Sequence, residues 1–129
     1  MSTSDLTEAI RAAAVGEIER RADGSVRQRY VFCDDFPGFS GHFPGRPILP
    51  AVLQIMAANQ LVEAATGQRL VSAAIERAKF VQPIVPGAIV EITCRRLPGA
   101  ADLWETRIDS DRQAAASFYL TLRVPAADA

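Results

Sequence analysis

Six short stretches of the chain have the composition of β-strands, and in most of them apolar and polar residues alternate. The first two cover residues 12–21 and 26–32, and Asp23-Gly24 between them is a strong signal for a hairpin turn. The other four cover residues 70–80, 88–97, 103–108 and 114–124. Short turns separate the last three stretches, which predicts an antiparallel meander.

Residues 51–66 have a different pattern, because apolar residues cover almost the whole circumference of the predicted helix. Such a helix is normally buried. Pro50 suits a helix start and Gly67 suits a left-handed helix stop. A weaker helical signal covers residues 4–11, with Ser4 as the expected N-cap. The sum predicts one α+β domain over residues 1–129, a curved antiparallel sheet wrapped around one helix.

A long loop joins the second strand to this helix, over residues 34–50. It holds three glycines, four prolines and the one histidine of the chain, His42. Loops of this length without regular structure are usually functional or disordered. Several apolar side chains, Phe36, Phe39 and Phe43 among them, are expected to hold the loop on the core. The sequence therefore predicts a functional loop.

Composition narrows the class of protein without naming a function. The chain has 129 residues and a formal net charge of −1, so nothing points to nucleic acid or an anionic membrane. Cys33 and Cys94 have no partner at metal-ligand spacing, so we expect no metal and no cofactor, and both thiols in the core. The N-terminus does not resemble a signal peptide and no apolar run could span a membrane, which predicts a cytoplasmic protein.

Two segments resemble the beta-hydroxyacyl-[acyl carrier protein] dehydratases of hot-dog fold. They are GHFPGRPILPAVLQ, which contains His42, and RAKFVQPIVPG, which begins at Arg77. The resemblance covers about residues 26–124. The glutamine at position 54, two residues before the family's acid position, resembles the branch of the family associated with aryl-polyene synthesis. It implies a hot-dog fold and a thioester substrate on acyl carrier protein or coenzyme A, in fatty-acid or polyketide/aryl-polyene type metabolism. It also implies a homodimer or a higher homo-oligomer.

The resemblance also implies roles for individual residues. His42 would be the base that removes the C2 proton of a 3-hydroxyacyl thioester, since a neutral imidazole has a suitable pKa. The Ala51 N–H at the helix start would donate to the thioester oxygen, as a helix N-terminus favours negative charge. The full set of expected substrate-binding residues is Ala51, Val52, Ile55, Met56, Gln60, Phe39 and Phe43.

Two positions depart from the family pattern. The family's glycine after the last proline is Ala51 here, and its catalytic Glu or Asp is Met56 here. A thioether cannot donate a proton, and one general acid contributes roughly 10²–10⁴ in rate. Glu63 lies about 10 Å further along the helix, too far to replace the acid directly. Other candidates are a bound water and two loop carboxylates, Asp34 and Asp35.

Three hypotheses therefore remain open. The first is a 3-hydroxyacyl-thioester dehydratase with His42 as base. The second is a non-catalytic thioester-binding or partner subunit, which Met56 favours. The third is a reaction that needs a single base, such as an enoyl isomerisation or a thioester hydrolysis.

Overall fold

The computed structural model describes residues 3–39, 47–99 and 102–126, with side chains from Asp5 onward. Two α-helices and six β-strands follow one another along the chain, with a 3₁₀ turn at Pro37–Phe39. Their bounds are α1 Thr3–Ala13, β1 Ala14–Arg20, β2 Val26–Val31, α2 Ala51–Thr66, β3 Val71–Phe80, β4 Ile89–Arg96, β5 Leu103–Ser110 and β6 Gln113–Arg123. The strands form one sheet in the order β1-β2-β4-β5-β6-β3, and each neighbouring pair is antiparallel. The predicted α+β hot-dog architecture is confirmed.

The turn signals that we identified act where they were expected. In the β1–β2 hairpin, the Asp23 carboxylate accepts hydrogen bonds from the backbone N–H and the hydroxyl of Ser25, at 2.9 and 2.6 Å. These two bonds lower the pKa of Asp23. The last three strands are the predicted meander, although β5 continues to Ser110 and the turn narrows to Asp111 and Arg112, both with positive φ.

The core lies between α2 and one face of the sheet. Every second residue of the central strands is buried, as alternation requires. Ala57 and Ala58 of α2 are fully buried, and their small side chains let the helix approach the sheet closely. The Cys94 Sγ lies 4.0 Å from the Ala58 carbonyl oxygen, and burial raises the pKa of this thiol to about 12.

Three details of the sequence prediction are wrong. The first helix begins at Thr3 and continues to Ala13, so Ser4 lies within it and is not its N-cap. The helix packs its apolar face on the core through Leu6 and the buried Ile10, and this packing extends it beyond the residues that its local signals predict. Cys33 was expected in the core but is exposed, because it follows the end of β2 where the chain turns away.

Strand β3 differs from the other strands in that all ten of its residues are exposed. It is an edge strand, paired on one side with β6 and with no other strand of the described chain on its other side. Its partners Leu120 and Ala116 are buried, so Ile75 and Phe80 opposite them face the same side as the core. The sheet therefore extends beyond the part of its inner face that α2 covers.

Candidate functional site

The loop before α2 is described only in part. His42 and Phe43, the expected base and one of the expected substrate-binding residues, lie outside the described residues. On one side of this gap Phe39 is buried, and its ring packs edge-on against that of Phe36 at 5.6 Å between centroids. On the other side Leu49 is buried, and its N–H donates to the Ile84 carbonyl at 2.8 Å. Both ends of the loop are thus held on the core, and Phe39 is placed as a core side chain.

The N-terminus of α2 presents backbone donors for which the described residues provide no acceptor. Pro50 precedes the helix in an extended conformation and provides no side-chain cap. The N–H groups of Leu53 and Gln54 both donate to the Pro50 carbonyl. Within the described residues, the N–H groups of Ala51 and Val52 have no hydrogen-bond acceptor. Such free N–H groups, at the positive end of the helix dipole, favour an oxygen that carries negative charge.

The alanine at position 51 is compatible with this arrangement. Positive φ among the described non-glycine residues is confined to Arg77, Asp111 and Arg112. Ala51 therefore has an ordinary helical backbone as the first residue of α2. The family's glycine is not needed here for its conformational freedom, and alanine keeps the same N–H.

The composition of α2 predicted a helix that is buried on all sides, but part of its surface is exposed. Val52, in the first turn, is 62% exposed, and Ala51 is exposed as well. Ile55 and Met56 are half-buried and pack on the edge of the core. Three of the expected substrate-binding positions, Val52, Ile55 and Met56, thus lie in the half of α2 that the chain leaves partly uncovered.

Gln54 is the exception in this half, because it is only 5% exposed. Its amide nitrogen donates to the Leu49 carbonyl at 3.1 Å, so the head of the side chain bends back toward the helix start. Its amide oxygen is buried and finds no hydrogen-bond partner within the described parts of the chain. In the sequence, Gln54 stood out only because it matches one branch of the family. The one sign that it is buried was its position within an otherwise apolar helix.

The C-terminal half of α2 uses its polar side chains to hold neighbouring elements. Gln60, expected to bind substrate, donates from its amide to the Thr7 carbonyl of α1 at 3.2 Å. The Glu63 carboxylate accepts a hydrogen bond from the Leu70 N–H at 2.8 Å, and the Asn59 amide donates to the Leu70 carbonyl at 3.3 Å. Leu70 directly precedes β3, so this pair of bonds positions the start of the edge strand.

These contacts bear on the candidate proton donors. Glu63 already accepts a hydrogen bond from the Leu70 N–H, near the C-terminal end of α2. Asp34 and Asp35 are exposed, and Asp35 lines a shallow cavity of about 230 Å³ with Cys33 and Ala13, beside α1. The first turn of α2 contains no acidic residue.

A larger cavity of about 470 Å³ lies at the other end of α2, between α1 and the β1–β2 hairpin. The sequence does not predict this cavity, because its walls depend on how α1 packs. Tyr30 lies at its floor, and burial raises the pKa of the phenol. No group of three or more His, Cys, Asp or Glu residues in the described parts of the chain is placed to hold a metal ion. No helix there is long and apolar enough to cross a membrane.

Comparison with known proteins identifies the family of this chain. Residues 18–118 match the family described as ApeI-like, ApeI dehydratase. A 3-hydroxyacyl-[acyl-carrier-protein] dehydratase FabZ of Granulibacter bethesdensis is 37% identical over 100 residues, which cover 67% of this chain and 59% of that protein. The chain thus spans less than two thirds of the length of this curated relative.

Two solved structures are similar in fold. The dehydratase heterocomplex ApeI:P from Xenorhabdus doucetiae contains a chain with a TM-score of 0.75 and 25% identity, covering 84% of this chain and 95% of that one. A hypothetical thioesterase with coenzyme A from Streptococcus pneumoniae has a TM-score of 0.64 at 14% identity, covering 96% and 97%, and shows the fold alone. The family match covers most of the sheet and all of α2, and on that ground the chain belongs to the ApeI-like dehydratase family.

Proposed function

We propose that this chain binds 3-hydroxyacyl thioesters, on acyl carrier protein or coenzyme A, and takes part in their dehydration. The observation that carries the proposal is the open N-terminus of α2, where the N–H groups of Ala51 and Val52 have no acceptor among the described residues. Removing the C2 proton places negative charge on the thioester oxygen, and these donors are already oriented for it. The family relationship supports the same chemistry.

His42 is the proposed base, and it precedes this helix in the sequence by nine residues, counting from His42 to Ala51. A neutral imidazole accepts a proton near neutral pH. The half-exposed face that bears Val52 and Met56 would form one wall of the channel for the acyl chain. Gln60 and Phe39 have less part in this proposal, because one binds α1 and the other lies in the core.

The leaving hydroxide still needs a proton, and Met56 cannot supply it. The Glu63 carboxylate already accepts a hydrogen bond from the Leu70 N–H, and Asp35 lies beside α1. A second candidate function follows, in which this chain is a binding subunit and a homologous partner carries the carboxylate. The similarity to a chain of the dehydratase heterocomplex ApeI:P from Xenorhabdus doucetiae supports this alternative.

Both candidates require a second chain, and β3 is the proposed contact. Its outer edge is unpaired within the described chain, and Ile75, Phe80 and Val81 expose 43%, 41% and 67% of their surfaces. Exposed sheet edges with apolar side chains readily pair with another chain. Val52 of α2 is also exposed, so a second copy or a homologue that covered both elements would bury apolar surface of each.

The experiment follows enoyl product from a 3-hydroxyacyl-pantetheine thioester, with the mass of each preparation measured by sedimentation. Turnover by the parent that falls by about 10²–10⁴ in His42→Ala would support His42 as base. Turnover that survives His42→Ala would overturn that role. A mass of one chain at all protein concentrations would overturn the β3 contact.

Met56 is tested by a matched pair of variants. Met56→Glu restores a carboxyl group at the family's acid position, whereas Met56→Gln has a similar size and polarity but cannot act as an acid. A silent parent that becomes active only in Met56→Glu would identify the chain as a binding subunit. A parent that is active and unchanged in both variants would show that the proton comes from elsewhere.

A further inference from the structure

We infer that Gln54 recognises the 3-hydroxyl group of the substrate, which makes it a specificity-determining residue; this inference rests on the proposed function. The inference begins from an unpaired atom. The Gln54 amide oxygen is buried and has no hydrogen-bond partner among the residues that the structure describes, although the amide nitrogen of the same side chain is bonded. A buried acceptor without a donor destabilises the structure that contains it, so its presence calls for an explanation.

The location of this oxygen connects it to the α2 N-terminus. Its amide nitrogen lies 3.1 Å from the Leu49 carbonyl oxygen, two residues before the helix starts. Both amide atoms are bonded to one carbon, so the oxygen lies in the same region. The Cα of Gln54 is about 4.5 Å along the helix axis from that of Ala51. An unused acceptor thus lies close to the unused N–H donors of Ala51 and Val52.

The chemistry of the ligand follows from this pairing. It needs an oxygen acceptor for the backbone donors and, a short distance away, a donor for the Gln54 oxygen. A 3-hydroxyacyl thioester has both, because one carbon, C2, separates its carbonyl carbon from the carbon that carries the hydroxyl. The bond to Leu49 occupies the amide nitrogen, so the oxygen is the amide atom left for a donor on the ligand.

Asn59 provides a control within the same helix. Its amide nitrogen is also bonded to a backbone carbonyl, that of Leu70, and its amide oxygen is also buried and unpaired. It lies in the C-terminal half of α2, where it holds the start of β3. If unpaired amide oxygens in this protein were only a feature of packing, replacing either residue would have the same kind of effect. Only Gln54 lies beside the open helix start.

The test compares the binding of two thioesters by calorimetry, 3-hydroxyoctanoyl-pantetheine and octanoyl-pantetheine. All proteins carry His42→Ala, so that the proposed base does not convert the ligand during the titration. With Gln54 present, the hydroxylated ligand should bind about tenfold more tightly, which corresponds to about 1.4 kcal/mol. Gln54→Met should reduce this ratio to about one, while Asn59→Leu should leave it unchanged.

The possible results distinguish a failure of the inference from a failure of the proposed function. Equal affinities for the two ligands in the protein that keeps Gln54 would overturn the inference. This comparison needs no substitution at position 54, so it remains valid even if Gln54→Met does not fold. A preference that persists in Gln54→Met, or that Asn59→Leu also removes, would overturn it while leaving thioester binding intact. Failure of both thioesters to bind any of the proteins would overturn the proposed function and the inference together.

Discussion

The two halves of α2 differ in apolar content and in how they use their polar groups. In the C-terminal half, Gly67 ends the helix in the left-handed conformation and its N–H donates to the Glu63 carbonyl at 2.9 Å. The side chains of Asn59, Gln60 and Glu63 bind the backbone of α1 or the residue before β3. In the N-terminal half, the first two N–H groups and the Gln54 amide oxygen have no partner in the described chain.

The Asn59 amide oxygen in the C-terminal half is also buried without a partner among the described residues. The N–H groups of Ala51 and Val52 are therefore what distinguishes the N-terminal half as the one available for ligands. Polar groups that bind within the chain stabilise the fold and leave little capacity for a substrate. A buried acceptor that remains unused is unfavourable for stability, whereas exposed N–H groups at a helix start can bind water or a ligand. The exposed Val52 and the half-buried Met56 lie in the same half as these unused groups. The substrate and a partner chain are both expected there.

The largest expected effect tests whether the two halves differ in burial. Leu61 is 1% exposed, so Leu61→Ala should lower the free energy of unfolding by about 2–5 kcal/mol. Val52 is 62% exposed, so Val52→Ala should change it by less than about 0.5 kcal/mol. Urea unfolding followed by the fluorescence of Trp104 measures both variants at one protein concentration. Equal losses would show that a partner covers Val52 in solution as fully as the sheet covers Leu61.

The part of the fold that local signals specify was predictable from the sequence. The helix α2 begins directly after Pro50 and ends directly before Gly67, as predicted. Each of these residues favours its position through its own backbone conformation. The β4–β5–β6 meander followed from alternation and turn residues. These predictions needed no knowledge of what packs against what.

The rest depends on which surfaces the chain covers, and hydrophobicity does not report that. The composition of α2 predicted burial on all sides, yet Val52 is exposed. Cys33 was expected in the core and lies outside it. Gln54 and Gln60 are the same residue type in one helix, and the family pattern pointed to Gln60. Only the structure shows that Gln60 binds α1 while Gln54 has an unpaired oxygen.

A smaller effect is expected at Glu63, where it tests the structural role of the C-terminal half. Its carboxylate accepts from the Leu70 N–H, and a hydrogen bond to a charged group contributes about 1.5–3 kcal/mol. Glu63→Ala should lower the free energy of unfolding by roughly that amount, and Glu63→Gln, which keeps an acceptor oxygen, by less. Urea unfolding measures both. If Glu63→Ala instead left stability unchanged and abolished dehydration, Glu63 would be the missing proton donor.

The smallest effect is expected at Ala51, where the N-terminal half departs from the family pattern. Ala51 has no positive φ, so glycine would gain no conformation that the site requires. Ala51→Gly should keep the N–H in place and lower the free energy of unfolding by at most about 0.5 kcal/mol, through greater freedom of the unfolded chain. Turnover or thioester affinity, measured beside urea unfolding, should stay within about twofold of the parent. A large gain in either would mean that the bound state needs a backbone conformation that alanine disfavours, and that the helix start rearranges when substrate binds.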